Sequence, residues 1–434
     1  MQLILVFLLT FNIAHASLPE LFGSSAGSMA IGNQAEKESA ANNHYAGALL
    51  GYAKATQFSF NTFYIDTQFS PVKNVVTKNE TNSVNVFENK DVEVNPTPTL
   101  LFGAHLSTPL FAPEGPKLNL SIFAPFDRLM EADTGDPYQP RYAMYENRFI
   151  RPNLSFSVAQ AFDKWAAALG TITGIQSGGE TFIVTRTTNG NPSLGKVSYN
   201  AKPSVGATAS VSYKTEKTLS YFAFQQEMKS RMEMRGTGET EIASNASFPF
   251  DFKIRSLLYY DPMTFRLGTQ YFQNTTNYFL SVEYQKWSSY ESSTLKLKKQ
   301  GGTINGSQDL ENLKLTDIII PRIGLDKKIG ERWSLKGGYF YRPTPIKTKA
   351  LKHAGNTIDT DKHVGSIGTG THFLLYGKTI NVDLAYQAHF LKNQKIIKTA
   401  NREDGDPSQP KIGSPGYRIG GMIHVLSAGI SWMY

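Results

Sequence analysis

Apolar residues recur at every second position through most of this chain, and that period limits its fold more than any other feature. In VGATASVSY, Val205, Ala207, Ala209, Val211 and Tyr213 alternate with Gly206, Thr208, Ser210 and Ser212. Phe58, Phe60, Thr62 and Tyr64 alternate with Ser59 and Asn61, and Leu118, Leu120, Ile122 and Ala124 with Asn119 and Ser121. Trp333, Leu335, Gly337, Tyr339 and Tyr341 oppose Ser334, Lys336 and Arg342, and Ile380, Val382, Leu384 and Tyr386 oppose Asn381, Asp383 and Gln387. Only an extended chain sends successive side chains to opposite faces, so these segments are strands. The closing stretch HVLSAGISWMY keeps the pattern: Leu426, Ala428, Ile430, Trp432 and Tyr434 share one face, while Ser427, Gly429 and Ser431 share the other. A half-buried soluble sheet gives the same alternation, so the choice of environment rests on the rest of the chain.

The N-terminal MQLILVFLLTFNIAHASLPE has a short apolar run, Leu3 to Phe11, and small residues at Ala14 and Ala16. It reads as a signal peptide, residues 1–16, cleaved after Ala16. Beyond it no run approaches the ~18–20 apolar residues that a membrane helix needs, so a membrane protein of this sequence crosses with strands. A slightly negative mean hydropathy agrees, because a membrane strand needs only half of its residues to be apolar. There is no cysteine, hence no disulfide framework and no thiolate chemistry. The net charge of +8 arises from 44 basic residues scattered among 36 acidic ones, which argues against nucleic acid as a partner.

Aromatics gather near segment ends: Tyr284, Trp287, Tyr290, Tyr339, Tyr341, Trp432 and Tyr434. Trp287, Tyr339, Tyr341, Trp432 and Tyr434 are expected at a membrane interface, where a ring can keep one wet edge. Spacers are either tight, as at 328–331, or long and polar, as at 73–96, 299–315 and 399–415, which is the pattern of a barrel with short turns at one end and long loops at the other. Residues 17–54 are rich in Ala, Gly, Ser and Asn and do not alternate.

IPRIGLDKKIGERWSLKGGYFYRPTPI at 320–346 resembles the signature hairpin of the FadL-type outer-membrane transporters of long-chain fatty acids and hydrocarbons. AGSMA (26–30), IFAPFDRL (122–129), PRY (140–142), RPNLSFSVA (151–159), VEYQKWSSY (282–290), DTDKH (359–363) and VDLAY (382–386) are similar to the same family in the same order. The resemblance implies an all-β, transmembrane antiparallel barrel of about 14 strands, residues 55–434, with an N-terminal hatch, residues 17–54, inside its lumen. That count requires residues 250–272 to form one strand interrupted near Pro262. The hatch would end at NNHYAG, with Asn42, Asn43, Tyr45, Ala46 and Gly47 at its turn; Tyr45 stands where the family has proline, and His44 where it has asparagine. The resemblance further implies a monomer in the outer membrane of a Gram-negative cell, in contact with outer-membrane lipid and lipopolysaccharide. The terminal aromatic would be read by the barrel-insertion machinery.

The same resemblance implies passive uptake of hydrophobic compounds, long-chain fatty acids first, with aromatic hydrocarbons as the alternative and a general porin or adhesin as a further one. The external groove would be lined by Phe126, Leu129, Met130, Tyr138, Arg141, Tyr142, Met144 and Tyr145, whose apolar side chains adapt to a ligand. Arg128, Arg141 or Arg148 would hold a carboxylate head group. No cofactor or metal is expected, since the eight histidines show no metal-ligand spacing. Nor is an enzyme: Gly23-Ser24-Ser25-Ala26-Gly27 matches G-x-S-x-G without the strand and helix a nucleophile elbow needs. GSIGTGTH at 365–372 lies in an alternating strand, and His424 and Ser427 point to opposite faces.

Overall fold

A computed structural model describes residues 18–81, 84–96, 98–126, 140, 142, 145, 152–174, 178–186, 192–201, 204–243, 246–290, 296–299, 315–347, 358–398 and 411–434. The chain runs through β1 (Gln57–Phe69), β2 (Val72–Thr81), β3 (Val84–Val92), β4 (Thr99–Pro109), β5 (Lys117–Pro125), β6 (Asn153–Phe162) and β7 (Trp165–Gly174). It continues through β8 (Gly178–Arg186), β9 (Pro192–Ala201), β10 (Ser204–Lys214), β11 (Thr218–Gln225), β12 (Met228–Ala243), β13 (Ala246–Asp261) and β14 (Met263–Gln273). The last strands are β15 (Thr276–Lys286), β16 (Lys296–Lys299), β17 (Ile318–Ile329), β18 (Trp333–Arg342), β19 (Lys362–Leu375), β20 (Lys378–Ile397) and β21 (Gly416–Met433).

Fourteen of these close an antiparallel barrel in which ring order follows chain order and β21 returns to pair with β1. One rim carries short connections, from the two residues of Asp163-Lys164, Asn274-Thr275 and Tyr376-Gly377 to the seven of 110–116. Asp163, Asn274 and Tyr376 take positive φ there, as two-residue hairpins demand. The other rim carries the long connections. Those contain strands of their own, the hairpin β2–β3 and the five-stranded sheet β16-β13-β12-β9-β8.

One expectation is corrected here. Residues 250–272 are not one barrel strand: the chain breaks at Pro262, β14 stays in the ring, and β13 leaves it to pair with β12 and β16. Residues 73–96 lie in the long connection from β1 to β4, and most of them fold into β2–β3.

Through the wall the usual order of burial is reversed. Ser59 and Asn61 of β1 and Ser210 and Ser212 of β10 are buried, whereas Leu169 of β7 is 73% exposed, Leu267 of β14 62% and Val205 of β10 61%. Water-soluble proteins rarely leave apolar surface of this extent open. Trp165, Tyr271, Tyr278, Trp333 and Tyr434 form an exposed aromatic band toward the tight-turn rim.

Residues 18–52 contain α1 (Leu18–Phe22), α2 (Ala26–Ala30), α3 (Asn43–Ala46) and single turns at Ala40–Asn42 and Gly47–Tyr52. Ser25 caps α2 through a reciprocal hydrogen-bond pair with Ser28. Nearly all of this segment is buried although it has no strand.

Candidate functional site

The segment before β1 is bonded to strands all round the ring. Ala26 N donates to Asn61 Oδ1 on β1 at 3.1 Å, and His105 Nε2 on β4 lies 2.8 Å from Ser24 O. Ser157 Oγ on β6 donates to Asn43 Oδ1 at 2.6 Å, and Ala48 N donates to Ser210 Oγ on β10 at 2.9 Å. Gln270 Nε2 on β14 donates to Ala35 O at 3.0 Å, Ser281 Oγ on β15 to Gln34 Oε1 at 2.8 Å, and Gln387 Nε2 on β20 to Asn33 Oδ1 at 2.9 Å. The inward serines, asparagines and glutamines are the partners that this segment's backbone and side chains need once they leave water.

Two ionic clusters lie at the same interface. Lys336 Nζ on β18 is 2.8 Å from Asp383 Oδ1 on β20 and 3.6 Å from Glu36 Oε2, and Ser25 Oγ donates to the other Glu36 oxygen. Burial pushes the Glu36 carboxyl above the usual carboxylate range, and Lys336 only partly offsets that. The second cluster joins β14, β15, β17, β18 and α1: Arg266 Nε to Glu283 Oε2 at 2.6 Å, Arg322 Nη2 to Glu283 Oε1 at 3.6 Å, and Arg342 Nη2 to Glu20 Oε1 at 2.7 Å. Arg266 Nη1 also donates to His44 O. Burial and the Arg266 guanidinium hold the His44 imidazole well below its usual value, so it is neutral.

Toward the long-loop rim the interior turns apolar. Leu21, Phe22, Ile318, Ile320, Phe340 and Trp287 belong to one buried cluster. Phe69 stacks on Tyr142 with ring centroids 4.0 Å apart. A narrow cleft runs between α3 and β6, β7, β10, β11 and β14, where Gly47, Ser157, Ala168, Ser210 and Ala223 keep the walls small.

Of the residues singled out from sequence, the structure places some and moves others. Asn42 clamps Glu36 by accepting from its N–H and donating to its carbonyl. Asn43 binds β5 and β6 through Ser121 and Ser155, and Tyr45 Oη accepts from Ser24 N and donates to Ser28 Oγ. Ala46 is buried, and a Cβ on Gly47 would come within 2.8 Å of Ser157 Oγ. Tyr142 and Tyr145 do not line an open groove: both are fully buried, and Tyr142 Oη is held by the backbone of Gly420. Phe126 packs on Phe102, an outward-facing residue. Leu129, Met130, Tyr138, Arg141 and Met144, with Arg128 and Arg148, lie outside the described residues.

Tyr339, Tyr341, Trp432 and Tyr434 keep outward positions, with Trp432 against Phe58. Trp287 does not: a single turn at Trp287–Ser289 folds it inward, where Nε1 donates to Gln285 Oε1 at 2.8 Å. Glu20, Glu36, Arg266, Glu283 and Arg322 join these clusters without a sequence motif that marks them. The signal available for the strand residues was parity, since each charge sits at a position whose neighbours face outward.

A closed antiparallel barrel with an apolar outer face and a polar inner face is the architecture of strand-built membrane proteins. Solved structures share this fold. The chain is similar to a Pseudomonas aeruginosa FadL homologue with a TM-score of 0.62 at 14% identity, over 98% of this chain and 99% of that one. It is also similar to the P. putida toluene transporter TodX with a TM-score of 0.51 at 12% identity, over 95% and 98% of the two chains. At such identities the likeness establishes the fold, and the FadL-type resemblance of the sequence motifs is met there. By sequence, the chain is 30% identical to alkane uptake protein A of Marinobacter nauticus (strain ATCC 49840 / DSM 8798 / CIP 103578 / SP17) over 179 residues. That match spans 40% of this chain and only 36% of the relative's length. No protein-family model matches the chain.

Proposed function

We propose that the protein is an outer-membrane channel for the passive uptake of hydrophobic compounds, with residues 55–434 as its barrel and residues 17–54 as a hatch in the lumen, after removal of residues 1–16. The observation that carries this reading is the ring of hydrogen bonds from β1, β4, β6, β10, β14, β15 and β20 to residues 24–48. A segment so held blocks free aqueous flow, which counts against a general porin. The bonds are single contacts to small polar groups, each contributing about 1 kcal/mol net, so they can be exchanged in sequence as the hatch shifts.

The ligand is a long hydrocarbon chain. Burying ten methylenes contributes roughly 8 kcal/mol, enough to draw such a molecule from the outer surface into the apolar cluster beneath the long-loop rim. Long-chain fatty acids are the first ligands to test and n-alkanes the second, the latter favoured by the partial likeness to alkane uptake protein A. The protein sits as a monomer among outer-membrane lipid and lipopolysaccharide, inserted by the barrel-assembly machinery. The test is paired. Purified protein in planar bilayers should pass little steady current, and deletion of residues 18–52 should open a large one. Vesicles bearing the intact protein should take up labelled oleate or hexadecane faster than protein-free vesicles. A large steady current through the intact barrel, with no such uptake, would replace this reading with a porin.

A further inference from the structure

We propose that Lys395 and Arg418, with Lys73 beside them, form a phosphate-binding site for lipopolysaccharide on the outer wall of the barrel. The inference rests on the outer-membrane part of the reading above and goes beyond it by assigning residues to the outer leaflet. β20 and β21 have 20 and 18 residues, about twice the 9–11 that cross a bilayer, so both continue past the membrane at the long-loop rim. The outward face of β21 changes character along the way. Ile430, Ala428 and Leu426 are apolar and exposed. Polar groups begin where His424 Nδ1 lies 2.7 Å from Tyr386 Oη and Asp66 of β1 stands opposite His424. Arg418 follows six residues on, exposed between buried Tyr417 and Ile419.

The register there sets two cations face to face. Leu391 of β20 pairs with Gly421, and an unbroken ladder would put Gln394 opposite Arg418. One extra residue in β20 shifts the pairing, so that Gln394 meets Ile419 and Lys395 meets Arg418. Bulges re-aim side chains in this way. Like charges directly opposite on an antiparallel pair are destabilising, so this register costs stability unless an anion lies between them. Among the described residues no carboxylate does. Asp361 lies 3.8 Å from Lys392, Asp359 lies 2.8 Å from Lys362, and Asp91 accepts from Asn74 N. On the other side of β21, Ser70 N donates to Gly420 O and Val76 N to Ser414 O, which carries the exposed Lys73 alongside the same stretch.

The height of the pair selects the lipid. A phospholipid has its phosphate at the boundary of the acyl layer, the level at which Tyr386 and His424 introduce polar groups to the wall. Six residues beyond His424 is about 20 Å along the strand, and about 15 Å in height at a strand tilt near 40°. A lipid with phosphate on an extended sugar head group reaches that far, and lipopolysaccharide is such a lipid. Arg418 can hold a phosphate through two parallel N–H···O bonds, while Lys395 and Lys73 add point charges.

The test titrates full-length protein in detergent micelles and reads binding by native mass spectrometry. The probes are lipopolysaccharide, the same material dephosphorylated, phosphatidylglycerol and inorganic phosphate. The parent should bind intact lipopolysaccharide at least about tenfold more tightly than the dephosphorylated form or phosphatidylglycerol, and Lys395→Gln/Arg418→Gln should lose that preference. Lys164→Gln/Lys217→Gln, at the tight-turn rim, should keep it. Without lipopolysaccharide the Lys395→Gln/Arg418→Gln protein should melt at or above the parent's midpoint, because the like-charge pair is gone. Heat-modifiable gel migration reports assembly; should the double variant fail to assemble, Arg418→Gln alone should weaken the preference. Equal binding of intact and dephosphorylated lipopolysaccharide by the parent, or an undiminished preference in the variants, would overturn the site. Phosphatidylglycerol bound as tightly as lipopolysaccharide would overturn it in favour of a general anionic surface, and full competition by inorganic phosphate in favour of a free-phosphate site. Hexadecane uptake is measured on the same proteins and should be equal in parent and variants. Uptake without the lipopolysaccharide preference overturns the site and leaves the channel standing; the preference without uptake overturns the channel alone.

Discussion

The turn at Ile31-Gly32 rests directly on the wall, and one added methyl group should lift it. A Cβ on Gly338 of β18 would come within 2.1 Å of Gly32 N and 2.3 Å of the Ile31 carbonyl carbon, more than 1 Å inside the 3.4 Å where ordinary contact begins. The atoms it meets are backbone, so no rotamer change relieves the overlap. Gly338 is held between Gly324 of β17 and Ser366 of β19 in the ring, which leaves the hatch as the part that moves. Overpacking of this kind costs about 1–3 kcal/mol, comparable to one to three of the hydrogen bonds that fix the hatch. Gly338→Ala should therefore give a barrel that assembles normally but flickers open in planar bilayers, with its N-terminal segment more readily cut by protease. Gly337→Ala is the control, because its Cβ points to the other face and would meet nothing nearer than Ser366 O at 3.9 Å. A Gly338→Ala protein as silent and as protected as the parent, or a Gly337→Ala protein that leaks equally, would show that this contact does not hold the segment in place.

Lys336→Met should also open the channel, since it strands Glu36 and Asp383 where removal of a buried partner typically costs about 3–5 kcal/mol; bilayer conductance and protease sensitivity check it. His44 is buried and neutral with its pKa depressed, so the stability it contributes is present above about pH 6.5 and is lost as pH falls toward the folded value. Thermal stability should thus fall more between pH 7.5 and 5 in the parent than in His44→Asn, and equal slopes would contradict that role. Leu267→Arg, on the outer face, should destabilise the protein in lipid vesicles by about 2–4 kcal/mol; an unchanged unfolding midpoint would show that this face does not meet lipid.

The strands were legible because a period of two survives in every wall segment. The sequence also marked residues 17–54 as different, since a segment that supplies neither alternation nor a long apolar run cannot be wall. Ring membership was not legible. β8, β9, β12 and β13 are strands like the others, and only tertiary pairing decides that they stand outside the barrel. Pro262 ended a strand, as proline does where a ladder bond is required, but the sequence does not say that the chain leaves the ring there. Trp287 misled because its position beside Tyr284 and Tyr290 fits an interfacial band, whereas one short turn after β15 carries it into the interior. Arg266, Glu283 and Arg322 were readable by parity alone. Their pairing with one another, and that of Arg342 with Glu20, depends on the stagger of four strands and the path of α1, which no local pattern encodes.

If residues 17–54 gate the lumen, a hydrophobic ligand passes only when they shift. The chain has no cysteine, so the hatch can be fastened to the wall with a single engineered disulfide. A Cβ on Gly47 would lie 3.3 Å from the Ala168 Cβ, close to the ~3.5–4.5 Å that a disulfide spans. Labelled hexadecane uptake should be measured in vesicles bearing Gly47→Cys/Ala168→Cys, first oxidised and then reduced. Uptake should stay near the protein-free background while the disulfide is formed and recover to the parent rate on reduction; uptake at the parent rate through the oxidised, fully cross-linked protein would mean that the ligand passes without any shift of residues 17–54.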